Sequence, residues 1–146
     1  MSLSEIDTLR RLRKHRADRA ERSLRAAKRL QQALLVQIQQ AQDALEHTRL
    51  EEARKTAELL GKHQGQVISF GDLKSWNAQE RTFSADTRRE EGQLQALHGQ
   101  SEEQLTHIDS AQRHATQCLR EVEKLQELSL LLVQEENDDA SSSEQT

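Results

Sequence analysis

The chain has 146 residues, of which 34% are hydrophobic and 32% charged, against roughly 45–50% and about 25% in ordinary soluble domains, so one large core is excluded. It has no proline, and its five glycines all lie between Gly61 and Gly99, so nothing breaks a helix over the first sixty residues or beyond Gly99. A net charge of −4 hides an asymmetry. Residues 10–29 hold ten Arg or Lys and two acids, whereas residues 121–146 hold eight acids and one Lys.

Helix signals begin at once: Ser2 and Glu5 have the spacing of a capping box, and Asp7 adds negative charge to the first turn. From Ala17 a 3-4 repeat runs through Ala20, Leu24, Ala27, Gln31, Leu34, Ile38, Ala41 and Leu45, the pattern of a coiled-coil seam. Leu3, Ile6, Leu9 and Leu12 extend the stripe upstream at threefold spacing, and Leu30 and Leu35 widen it. The seam loosens at Thr48 and Glu52 and meets its break in the glycine-rich segment 61–71. Asp72 is a good N-cap for a second helix. Its seam reads Leu73, Trp76, Phe83, Leu94, Leu97, Leu105, Ile108, Ala111, Ala115, Cys118, Val122, Leu125 and Leu132. The acidic, Ser-rich end is expected to be disordered.

The expected fold is therefore all-α: two long helices forming an antiparallel coiled-coil hairpin over 1–134 (helix 3–60, tip 61–71, helix 72–134), with a disordered acidic tail at 135–146. A turn near Gln66 pairs residues whose numbers add to about 132, which sets Leu34 by Leu97, Ile38 by Leu94, Leu24 by Ile108, Leu9 by Val122 and Ile6 by Leu125. Each arm would be about 90 Å long. The same register brings the basic stretch near the acidic end. Opposite Ala41, Thr48 and Glu52 the second helix offers Glu80, Thr87 and Glu90, so pairing is expected to be loose toward the turn.

Two surfaces stand out. The basic run 10–29 is a protein-docking surface, a nucleic-acid contact or a solvated helix face, with Asp18–Arg22 and Glu21–Arg25 as ordinary i,i+4 pairs. Against nucleic acid, no aromatic lies near it to stack on bases. The second surface is the turn, where all three aromatics, Phe70, Trp76 and Phe83, fall within fourteen residues, beside Val67, Ile68 and Leu73. They either plug the hairpin end or offer interface anchors. The six histidines lack compact ligand spacing, and the single Cys118 excludes an intramolecular disulfide. No phosphate loop, nucleophile elbow or acid–base set is present, so no enzyme activity, metal or cofactor is expected. No apolar run approaches the ~18 residues of a membrane span, and residues 1–30 lack the apolar block of a signal peptide, so a cytoplasmic location is expected.

RADRAERSLRAAKRL near the start, FGDLKSWNAQERTF at the turn and CLREVEKLQELSLLL near the end resemble the YscO/FliJ family of type III secretion stalk proteins, most closely its HrpO-like branch. The resemblance implies a stalk at the base of the secretion apparatus that links the hexameric export ATPase to the export gate and in some members binds chaperones of secreted substrates. Carried over by position, it implies that Arg16, Arg19, Arg22 and Arg25 face the ATPase and that Phe70, Leu73, Trp76 and Phe83 face the gate. The alternative is a prefoldin-like chaperone or tethering hairpin, which strands between the helices would favour.

Overall fold

The computed structural model describes residues 2–144. It contains two α-helices packed against each other, α1 (Leu3–His63) and α2 (Phe70–Glu144). The start of α1 is built as its sequence requires. The Glu5 amide donates to Ser2 Oγ (3.2 Å), and the Ser2 amide donates back to Glu5 Oε2 (3.4 Å), which satisfies two donors at the helix end.

The break is shorter than the glycine pattern suggests. Gly61 stays helical, and the chain turns between His63 and Phe70, where Gly65 takes a φ of 74° that a side chain would oppose. Ser69 rather than Asp72 caps α2: its Oγ accepts from the Asp72 amide (3.1 Å), and Asp72 contributes its charge from within the first turn. At the other end α2 does not stop near Gln134. It runs on to Glu144, so a disordered tail from Glu135 is not shown; residues 145 and 146 lie outside the described part. With no breaker beyond Gly99, each added residue extends an existing helix without a new nucleation cost.

The helices form two compact units. In the first, Met1–Leu30 with Gln104–Thr146, Ala17, Ala20 and Leu24 of α1 bury against Ala115 and Cys118 of α2, flanked by Ile108, Ala111 and Val122. Ile6 and Leu125 are buried as well. The seam keeps its 3-4 step as it runs toward the start of α1, so it passes through Arg13 and Arg10, both half-buried, and leaves Leu12 61% exposed. Arg13 turns this to use by donating from Nη1 to the carbonyl of Glu121 (3.4 Å). On α2 the same step selects Gln104 in place of Leu105. Gln104 is buried and donates from Nε2 to the Ala27 carbonyl (2.9 Å), while Leu105 is exposed.

The second unit, Gln31–Glu103, buries Leu34, Ile38 and Leu45 beside Thr87 and Ser101, with Leu94 and Leu97 half-buried. Gln31 meets Ser101 across the seam (Nε2 to Oγ, 2.8 Å), on the register expected from the turn. Leu30 in the first unit and Leu35 in the second do not widen the seam; both are exposed. Nearer the turn polar pairing takes over from apolar packing. The Glu52 carboxylate accepts from the hydroxyls of Ser84 (3.3 Å) and Thr87, and Arg49 pairs with Glu91 between the helices (3.0 Å).

The Gln31 pair yields a first prediction. Gln31 Oε1 is buried without a hydrogen-bond partner, and replacing both members of a buried polar pair by apolar groups is neutral to stabilising. Gln31→Leu with Ser101→Ala should therefore raise stability by about 1 kcal/mol, a gain of roughly 2–4 °C in Tm. A lower Tm in thermal melts would show that the polar pair holds the seam together.

Candidate functional site

Each unit carries a surface whose chemistry is not used up by its own fold. In the first unit the seam step of α1 places Ala17, Ala20 and Leu24 inward, which turns Arg16, Arg19, Arg22 and Arg25 outward; all four are exposed. Their charge is poorly neutralised. Arg16 reaches Glu121 only at 3.9 Å, and Arg25 reaches Glu21 at 3.8 Å. Among the described residues Arg19 and Arg22 form no ion pair, so of the two pairs expected within the helix Glu21–Arg25 is present and Asp18–Arg22 is not. Arg16 and Arg19 share an open groove with Ala20, Ser23 and His114. His114 also lies 3.7 Å from Cys118, whose side chain is buried in the seam.

The acidic end does not neutralise this arm. Ile6 and Leu125 are both buried at the same end of the seam, so the acids Glu135, Glu136, Asp138 and Asp139 extend past the start of α1 and are exposed. The expectation that the fold brings the two charged stretches together holds only for Glu121, which meets Arg16. Five of the eight acids in residues 121–146 follow Leu132, the last half-buried residue of α2.

In the second unit the four tip residues divide into two kinds. Trp76 and Phe83 are half-buried and held by their neighbours. The Trp76 ring stacks on His63 (centroids 5.2 Å apart, planes inclined by 21°), and its Nε1 donates to Glu80 (2.8 Å). The Phe83 ring has the Lys55 ammonium 5.1 Å from its centroid, and borders an open groove with Leu59. Phe70 and Leu73 face outward, 74% and 46% exposed, beside a fully exposed Val67. The Lys74 ammonium, 5.3 Å from the ring centroid, lies over Phe70. The aromatics thus do not form one plug: two brace the helices and the rest make an exposed apolar patch.

Next to the tip Arg54 donates to Glu51 (2.8 Å) and Glu58 (2.6 Å), a ladder along one face of α1. The hydrogen bond from Arg54 and its charge hold the Glu51 carboxyl below the usual carboxylate range. The pairs stiffen exposed helix and, being open to solvent, add little to the stability of the fold.

What sequence reading missed here is the polar seam: Arg10, Arg13, Ser101 and Gln104 occupy inward positions that a search for apolar residues passes over. Strict adherence to the 3-4 step was the signal that would have found them. Among the described residues no group of His, Cys, Asp and Glu is arranged to hold a metal ion, and no helix is long and apolar enough to cross a membrane.

No curated protein matches this chain significantly. Among solved structures, the crystal structure of the type III secretion protein YscO from Vibrio parahaemolyticus is similar, with a TM-score of 0.91 at 16% identity, covering 98% of this chain and 90% of that one. At such identity the likeness establishes the helical hairpin fold. The family model for type III secretion protein YscO matches residues 6–146, nearly the whole chain and both surfaces with it, and the chain therefore belongs to the YscO family of type III secretion proteins.

Proposed function

We propose that this protein is the non-enzymatic central stalk of a type III secretion system, in the cytoplasm at the base of the apparatus, linking the hexameric export ATPase to the export gate. The observation that carries the proposal is the pairing of an under-neutralised arginine row in one unit with an outward apolar patch in the other, in a chain of this family. Arg16, Arg19, Arg22 and Arg25 supply the ATPase contact. Exposed guanidinium groups steer and bind an acidic surface. Phe70 and Leu73 supply the gate contact, with Trp76 and Phe83 holding the helix ends beneath them. Chaperones of secreted substrates are a third class of partner.

The prefoldin-like reading needs strands between the helices. Residues 64–69 form a turn, and no strand occurs among the described residues. The proposal is tested by capturing both the ATPase and the gate protein from native cells on the full chain, and by deleting the gene. Secretion should stop on deletion and return on complementation. Capture of neither protein, or secretion unchanged by deletion, would overturn it.

A further inference from the structure

The strongest unexplained feature lies where α2 outruns α1. Successive helical residues are about 100° apart, so Leu128, Leu130, Leu131, Leu132 and Val133 point to all sides of α2. A helix segment that is apolar all round is normally buried all round. Here only Leu132 is half-buried, while Leu130 and Leu131 are 70% and 61% exposed and Leu128 and Val133 are also open. The acids that follow, Glu135, Glu136, Asp138 and Asp139, are exposed, and no Lys or Arg follows Lys124 in α2 to neutralise them. Basic residues in the last turn are absent. Both features call for a partner that is apolar next to 128–133 and basic next to 135–139.

The chain itself contains that surface. On α1, Leu9 and Leu12 line an open groove with Ser4, Glu5 and Thr8. The exposed basic residues Arg11, Lys14 and Arg16 surround and follow it. We infer that the α2 overhang of one molecule docks on the α1 start of a second copy, and the reverse, to form a two-fold dimer through the open ends. Direction and order both fit. In the first unit α1 and α2 run antiparallel, so a two-fold axis across them sets the α2 of one molecule parallel to the α1 of the other. Read in that shared direction, each strip is apolar first and charged after: Leu130, Leu131 and Val133 then Glu135, Glu136, Asp138 and Asp139 on α2, and Leu9 and Leu12 then Lys14 and Arg16 on α1. Opposite charges therefore meet when the leucines meet.

The dimer covers Arg16 and competes with whatever else the basic arm binds. That last step rests on the ATPase reading; the dimer does not.

Light scattering and sedimentation on the full chain across a concentration series test the inference. A dimer should form and should weaken as salt is raised. Leu130→Glu with Leu131→Glu should weaken it about tenfold or more with helicity unchanged by circular dichroism. Glu135→Lys with Glu136→Lys should weaken it too, and adding Lys14→Glu with Arg16→Glu in the same chain should restore it. A monomer at every concentration overturns the inference, and so does a dimer indifferent to these changes. If Leu130 and Leu131 become protected only when another protein is added, the segment belongs to that protein and the inference also fails.

Discussion

Replacing Phe70 and Leu73 by alanine should leave the helices and their melting unchanged and abolish the export-gate binding proposed for the tip. Both side chains are exposed, so truncation removes little buried area from the free protein. At an interface the same change can cost ~2 kcal/mol or more, because a few apolar anchors carry most of the binding energy. Roughly a thirtyfold loss of gate affinity is expected, with secretion falling accordingly. The paired control is Trp76→Ala with Phe83→Ala. These rings stack on His63 and pack under Lys55, so this variant should lower Tm and loosen the turn, measurable as faster amide exchange over 52–87. Gate binding unchanged by Phe70→Ala and Leu73→Ala would remove the apolar patch from the gate proposal, whatever the control does.

That division among four neighbouring residues was not legible in the sequence, and the reason is physical. Clustering of aromatics marks a place, but which ring is buried depends on where each falls on the seam step. Trp76, Glu80, Phe83 and Thr87 alternate by four, three and four and turn toward α1, whereas Phe70 and Leu73 precede the point where the helices face each other. The body of the seam was legible for the same reason. From Ala17 to Leu45 every predicted position is buried or half-buried, because the repeat is strict and mostly apolar. Position overrides residue identity along the seam: Leu12, Leu30, Leu35 and Leu105 are exposed, and Arg13, Ser101 and Gln104 take or flank the inward places. Long polar side chains survive there because a two-helix seam is narrow. Arg13 buries its stem and still reaches a carbonyl at the seam edge. The extension of α2 to Glu144 was missed because composition speaks to burial, not to whether an existing helix keeps propagating.

Charge neutralisation of the basic arm should have the second large effect. Arg16→Gln, Arg19→Gln, Arg22→Gln and Arg25→Gln together remove four positive charges from one exposed stretch of α1. Little internal structure depends on them: the two ion pairs they make are 3.9 and 3.8 Å long and exposed on the arginine side, and such pairs contribute at most a few tenths of a kcal/mol, roughly the lower end of the measured range. Helicity and Tm should therefore change little. Binding to the ATPase should fall by about tenfold or more at low salt, and chiefly through a slower association rate, because unpaired exposed charges act by long-range steering. The discriminating measurement is the salt dependence of association. For the unaltered protein the rate should drop steeply between low and physiological ionic strength; for the fourfold variant it should be nearly flat. A variant that keeps both the affinity and the salt slope would make this row an ordinary solvated helix face. An equal loss of affinity with an unchanged slope would assign the contact to packing by the arginine stems, and would move the electrostatic role to Arg10, Arg11 and Lys14.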